Sequence, residues 1–477
     1  MTSSAMKHSS LRLIRLTKVA AAIELGIVGW ICATEGVGLA GWAVTIVIGG
    51  ALLVFAIVAI GSVGGFALLA ISSVMPRITW EVGNYHIHPE YVATALVIFV
   101  VGAKRLAGRG EKFQIIPADL PLLAYAVVSL LVSTFMSPEP SRTLRWAALS
   151  VIALLPYFIL RHLITEYKEV VRCWRLLVTI GIMESLFGVL CFLSNRLFGT
   201  QIGVEADQYG AIPGTFGTHF EANLFGAYSA CCAVMCASAY LFDDHARRRL
   251  YAGGFLIASL ATVISLSRAP ILALLIMLGF VMWVARKKVR VSFGTAVKWA
   301  VVVCTLAAVL SRVVYPLLEA RFSTLDMSDL LSDETTMSRF IQDAAAIEGI
   351  RSHPLLGTGT SSLQLFFDLS DVYGSQAADT AGRGAWVGNT TIRVLHDTGI
   401  LGSLTLLAFF VILIASMLKQ AHRSEGTQLA MLTSLALGFF VYVITFQATD
   451  GTMLSFFWVH LGLCGCTLTA SKAPNRA

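Results

Sequence analysis

Residues 40–76 read AGWAVTIVIGGALLVFAIVAIGSVGGFALLAISSVMP. The run is too long for one membrane-crossing helix and short for two, because a hydrocarbon core about 30 Å thick takes roughly 20 helical residues. How it divides decides how the rest of the chain is threaded. With Gly61-Ser-Val-Gly-Gly65 as a tight hairpin between two spans, the loops alternate consistently. The clusters Lys104/Arg105/Arg109/Lys112, Arg161/Lys168/Arg172, Arg247/Arg248/Arg249, Arg286/Lys287/Lys288/Arg290, Lys419/Arg423 and Lys472/Arg476 then share one side with the N-terminus, and all ten lysines fall there. Read as a single span, residues 40–76 would turn those clusters to the wrong side, against the tendency of basic loops to stay cytoplasmic.

Composition agrees with this threading. Apolar residues make up 56 % of the chain and charged residues only 13 %, whereas a soluble domain carries about a quarter charged. The deficit excludes a soluble enzyme on a tether. Apolar stretches of spanning length fall near 19–36, 40–59, 60–76, 89–103, 117–136, 142–161, 171–195, 221–242, 250–267, 269–285, 296–316, 389–417, 427–446 and 452–470. The expected architecture is an all-α polytopic membrane protein of about 14 transmembrane helices (12–14) with one large exterior, partly helical loop. It divides into N-terminal helices (1–316), the large loop (317–388) and C-terminal helices (389–477), with both termini cytoplasmic. The apolar run after Lys7, Arg12, Arg15 and Lys18 lacks a small-x-small cleavage site and reads as a retained first span. The net charge of +7 is a cytoplasmic-loop effect that fits anionic lipid, not nucleic acid. The nine cysteines sit in apolar runs and read as small buried hydrophobes, with no metal or disulfide framework.

The opposite face carries only arginines as cations: Arg77, Arg142, Arg145, Arg196, Arg268, Arg312, Arg321, Arg339, Arg351 and Arg383. A guanidinium grips phosphate through two parallel hydrogen bonds; the plainer reading has these arginines pair with acids of their own loops. In the large loop, Asp333 and Glu334 open a helix whose Met337, Phe340, Ile341 and Ala344 form an apolar face suited to the membrane surface. Pro354 ends it. The following His353-Pro-Leu-Leu-Gly-Thr-Gly-Thr-Ser-Ser362 has small residues that would let backbone N–H groups approach an anion, or simply turn. Arg268, in Ser265-Leu-Ser-Arg-Ala-Pro270, stands at the membrane edge between two spans with scarcely any loop. An ionisable residue there needs a partner or a task, or snorkels to headgroups.

Together these segments resemble the O-antigen ligase and polymerase superfamily. Ser265-Leu-Ser-Arg268 is similar to that family's Ser-Arg-Gly/Ala helix start. Arg339 with its helix, leading into His353-Pro-Leu-Leu-Gly-Thr-Gly359, resembles its large loop. Asn389-Thr-Thr-Ile-Arg-Val-Leu-His-Asp-Thr-Gly-Ile-Leu-Gly402 resembles the segment after that loop, and Gly214-x-Phe through Asn223 an earlier element, with His219 and Phe220 departing from the pattern. The likeness covers roughly 210–405. Ligases of the family carry a His immediately before the Asn aligned with Asn389; here that residue is Gly388.

The resemblance implies metal-independent glycosyl transfer at the exterior face of the bacterial cytoplasmic membrane. The donor is a glycan on a polyprenyl diphosphate and the acceptor another glycan, with membrane lipids and a chain-length regulator as further partners. A leaving diphosphate needs preorganised cations, here Arg268 and Arg339. The acceptor hydroxyl needs a base within hydrogen-bond reach, for which His353, His219 and Asp397 are candidates, with Glu221 behind them. Asn389 and Asn223 are expected to bind substrate. His396, about 10 Å along a helix from Asn389, is too deep. A polysaccharide polymerase ranks first, a ligase or protein-glycosylating relative second. A flippase ranks last, since such folds show repeats and broken helices and neither is read in the sequence.

Overall fold

The computed structural model of the chain describes residues 61–76, 79–82, 85–106, 114–205, 214–243, 245–288, 334–366 and 387–470. The expected spans 19–36, 40–59 and 296–316, and the rest of the large loop, lie outside these. The first described helix, α1 (Ser62–Ser73), starts directly after Gly61, whose φ of 69° favours glycine. A short antiparallel hairpin follows, β1 (Trp80–Val82) with β2 (Tyr85–Ile87), Glu81 opposite His86. Then come α2 (Pro89–Leu106), α3 (Asp119–Phe135), α4 (Pro140–Leu163), α5 (Tyr167–Phe198), α6 (Ala222–Phe242), α7 (Arg248–Ile264) and α8 (Arg268–Lys288). After the gap lie α9 (Glu334–Ser352), the single turn α10 (Leu363–Phe366), α11 (Thr390–His422), α12 (Gly426–Thr445) and α13 (Ser455–Ala470). Each expected span within the described residues therefore falls on a helix. Six (α4, α5, α6, α8, α11 and α12) are long and apolar enough to cross a membrane. The protein is a multi-pass membrane protein.

Two helices are apolar on every side and buried accordingly. α6 packs against α5, α7, α8 and α12, and α13 against α4, α5 and α12. The small side chains of α6, among them Gly226, Ala227, Ala230 and Ala233, let neighbouring backbones approach closely. α11 is the reverse: it leans on α3, α9 and α12 and leaves Leu404, Leu407 and Val411 outward, as a lipid-facing helix does. The seven described cysteines are buried and none forms a disulfide.

Polar contacts sort into two ends. At the lysine-bearing end, Ser62 bonds Glu169, Arg161 pairs with Asp119, and Arg175, Tyr251 and Thr427 converge on Asp243. At the other end, Thr218 reaches Val74, Thr215 reaches Ile264, Thr449 reaches Glu221 and Thr390 reaches Asp450. α7 runs between the two, with Tyr251 near its start in the first set and Ile264 at its end in the second.

Two expectations are corrected. The segment 389–417 is not one continuous span: α11 is interrupted at Gly399 (φ 62°, ψ −167°), so the chain does contain a broken helix. Also, the face of α9 turned away from the protein carries Phe340, Ala344 and Ile347, whereas Ile341 is half-buried; Met337 lies outside the described side chains.

Candidate functional site

Three residues join α7 to α8. Ser265 Oγ donates to the carbonyl of Thr262 (2.7 Å), and Ser267 N donates to Ser265 Oγ (3.3 Å). Leu266 between them is left-handed (φ 55°), a conformation that costs a side-chain-bearing residue about 1–2 kcal/mol. Its burial with Val189, Phe192 and Phe225 offsets that cost, since burying a leucine contributes about 1.5–3 kcal/mol. The turn is clasped by the segment before α6: Thr215 N donates to Ile264 O (3.2 Å), and a Cβ on Gly214 would stand 3.0 Å from Ser265 O. The Gly214–Asn223 and Ser265–Arg268 motifs thus form one unit. Arg268 opens α8 and Asn223 lies in the first turn of α6, both half-buried.

Three carboxylates shape this unit. Glu205 accepts the Ala222 N–H (3.0 Å), an orphan donor of the α6 N-terminus. Glu221 accepts the Thr449 hydroxyl. Glu184, in the middle of α5 and buried, accepts both N–H (3.0 Å) and Oγ1 (2.9 Å) of Thr218. His219 Nδ1 is 3.5 Å from the same Glu184 oxygen. The ring is fully buried among Phe225, Tyr228 and Phe456, and neither of its nitrogens makes a hydrogen bond to the described residues.

A second unit surrounds the break in α11. There the loop 353–362 inserts edge-on: Thr358 N and Gly359 N donate to the carbonyls of His396 and Asp397 (3.0 Å each), while Ile400 N and Leu401 N donate to Pro354 O (2.9 Å) and Leu355 O (3.2 Å). The four bonds satisfy backbone groups that the break frees, each costly if left bare in an apolar surround. Glycine is required on both partners. A Cβ on Gly399 would lie 2.4 Å from Leu355 C, and one on Gly357 2.6 Å from Gly399 N. The other N–H groups from Gly357 to Ser362 are also used: Gly357 to His353 O, Thr360 to Ser133 Oγ, Ser361 to the Asp397 carboxylate and Ser362 to Gly359 O. In the loop expected to cradle an anion, the amides of Gly357–Ser362 are therefore spent within the protein. Its small residues serve close packing against α3 and α11.

Beneath the loop lies a buried ion cluster. Arg393 Nε stands 2.9 Å from Asp450 Oδ2 and Nη1 3.4 Å from Asp397 Oδ2, and Nη2 donates to Thr452. Asp397 Oδ1 is 3.1 Å from His396 Nδ1. Asp450 also accepts from Thr390 Oγ1 (2.9 Å) and from Thr452 N (3.1 Å). Neighbouring residues Thr449 and Asp450, in the turn between α12 and α13, thus hold the start of α6 and the start of α11.

The anticipated residues divide accordingly. His219, Asn223 and Arg268 belong to the first unit. Asp397 and Asn389 belong to the second; the Asn389 side chain accepts from Ile392 N (3.1 Å) as the N-cap of α11. Gly388, half-buried before it, has only Ala448 O within 4 Å of where a Cβ would be (3.5 Å). His353 follows α9 with its ring exposed, 3.1 Å from Ser352 Oγ. Arg339 lies one turn before Asp343 on α9; burial pushes the Asp343 carboxyl up from its ordinary value and Arg339 pulls it back. His396 is buried, as its depth implied. Sequence reasoning missed Arg393, Asp450 and Glu184. For Glu184 and Arg393 the signal was available, an ionisable residue inside an apolar span.

No curated protein matches the chain. A family model described as O-antigen ligase matches residues 253–407. Over that segment, which holds the turn at Arg268, α9, the inserted loop and the break of α11, this chain resembles the O-antigen ligase superfamily.

Proposed function

We propose that the protein is a glycosyltransferase that polymerises polyprenyl-diphosphate-linked oligosaccharide repeat units for a surface or exopolysaccharide, on the exterior face of the bacterial cytoplasmic membrane. The observation that carries polymerase over ligase is Gly388. The ligases' histidine would stand there, beside the cap of α11, and glycine offers no side chain to orient or deprotonate an acceptor. Two lipid-linked glycans then meet at the face opposite the lysines, one as donor and one as acceptor. Arg268 and Arg339 hold the departing diphosphate, and Asn223 and Asn389 line the approach. Of the three candidate bases, His353 is exposed, whereas His219 is enclosed by aromatic rings and Asp397 is engaged by Arg393 and Ser361 N. His353 is therefore the favoured base.

A ligase or protein O-oligosaccharyltransferase is the second reading, favoured by the description of the matching family. A flippase gains nothing from the break in α11, because the freed backbone groups bond the inserted loop.

Purified protein supplied with lipid-linked repeat units alone should lengthen them into a ladder, and deletion of the gene should leave single repeats. Accumulation of full-length polymer on its carrier in the deletion strain would make the protein a ligase. In the same assay, Arg268→Lys and Arg339→Lys keep charge but lose the bidentate fork, and each should reduce turnover roughly tenfold or more, about 1.4 kcal/mol of transition-state stabilisation. Lysine variants as active as the parent would remove both arginines from the site.

A further inference from the structure

α9 is not among the helices long and apolar enough to cross a membrane, yet its outer face carries bare apolar side chains beside the exposed Glu348–Arg351 pair. Phe340 (65 % exposed), Ala344 and Ile347 follow one another at i, i+4 and i+7 and point away from the protein. The opposite face is where α9 packs: Ala346 is buried with Leu363 and Val387, and Gly349 abuts the His396 ring. Directly after the helix, Leu355 (68 % exposed) and Leu356 are also bare. Apolar side chains gathered in this way mark an interaction surface.

The height of α11 identifies what covers them. Its outward residues Ile400, Leu401, Leu404, Leu407, Val411 and Leu418 are all exposed. From 400 to 418 an α-helix rises about 27 Å, close to the roughly 30 Å of a hydrocarbon core. Lys419 and Arg423 follow at once, marking the lower boundary, so Ile400 and Leu401 mark the upper one. Their N–H groups bond Pro354 O and Leu355 O, which fixes Leu355 and Leu356 at that same boundary and makes their surface continuous with the lipid-facing side of α11.

We propose that α9 and Leu355–Leu356 form an in-plane membrane anchor, with Phe340, Ile347, Leu355 and Leu356 seated in the acyl region of the outer leaflet. A helix lying in the interface sinks its apolar side chains about 5–10 Å into the boundary. Arg351, on the same face one turn beyond Ile347 and paired with exposed Glu348 (3.3 Å), then snorkels to lipid phosphates. His353 stands at the phosphate layer. That last consequence bears on the proposed reaction, since the diphosphate of a lipid carrier lies at this level; the anchoring itself is independent of it.

Nitroxide labels on single cysteines replacing Phe340, Ile347 and Leu355, with Glu348 as a water-facing control, test this in full-length protein in phospholipid nanodiscs. These positions are exposed, so labelled proteins should melt like the parent, and parent carried through the same labelling sets the background. At 340, 347 and 355, lipid-soluble oxygen should relax the label more than a water-soluble nickel chelate; at 348 the order should reverse. Nickel access at 340 and 355 equal to that at 348 would place the face in water and overturn the anchor. Shielding from both reagents would mean that another part of the chain or a second copy covers it, which overturns it equally. None of these readings depends on glycosyl transfer.

Discussion

Arg161 and Arg393 are both buried guanidiniums in spanning helices, but they are held in different ways. Arg161, at the lysine-bearing end, meets one carboxylate: it pairs with Asp119 and donates to the Gln114 carbonyl, while Tyr157 and Ile116 N complete the Asp119 oxygens. Cation and anion match one to one, and the contact ties α4 to the start of α3. Arg393 meets two carboxylates, Asp397 and Asp450, from separate segments, with His396 beside them. Two carboxylates there share one guanidinium in a buried place, where an uncompensated charge is costly. The first arrangement is a tie between helices. The second is a clamp on three pieces at once (α11, the inserted loop through Ser361 N, and the α12–α13 turn), and its Arg393, His396 and Asp397 lie within the segment that the O-antigen ligase model matches.

The sharpest way to break the comparison is to remove each cation. Breaking a buried pair costs about 3–5 kcal/mol because the partner is left charged and alone. Arg393→Met strands two carboxylates and Arg161→Met only one, so the Arg393 variant should lower the melting temperature in detergent more. Adding Asp450→Asn to Arg393→Met should restore part of the loss. Equal melting temperatures for the two single variants would mean that the second carboxylate adds no cost, which removes the contrast. Next in size is the seal above the cluster. Gly399→Ala imposes left-handed strain of about 1–3 kcal/mol and a clash with Leu355, whereas Gly253→Ala, with nothing within 4 Å of its Cβ, should be neutral or slightly stabilising in the same melt. The smallest effect concerns α9. With its carboxyl pushed up by burial, Asp343 is disfavoured in its charged form on folding; its contribution is full below the ordinary carboxylate value and lost as pH rises through the folded one. Asp343→Asn should therefore raise the melting temperature slightly at neutral pH, with the gain vanishing in acid. A gain that persisted in acid would have a cause other than charge.

Much of this was legible residue by residue. The apolar stretches from 60 to 285 and from 389 to 470 each became helices where expected, because a span needs only length and apolarity. Glu334 as a helix start and Pro354 as its end were equally plain. The pairing of distant pieces was not legible. That Thr449 would hold Glu221, or Asp450 the guanidinium of Arg393, follows from no local pattern, since those partners are separated by more than fifty residues.

The sequence by itself determined a polytopic helical membrane protein and the motifs that resemble the O-antigen ligase superfamily, for each of these rests on local hydrophobicity or short runs of residue types. Only the tertiary structure decided what the glycines of those motifs do. Read alone, Gly357-Thr-Gly359 has amides free for an anion; folded, the Thr358 and Gly359 amides bond the carbonyls of His396 and Asp397 where α11 breaks at Gly399, and that of Gly357 bonds His353 O. A backbone donor's fate depends on which acceptor the fold brings within 3 Å, and no pattern of residue types along one chain segment specifies that.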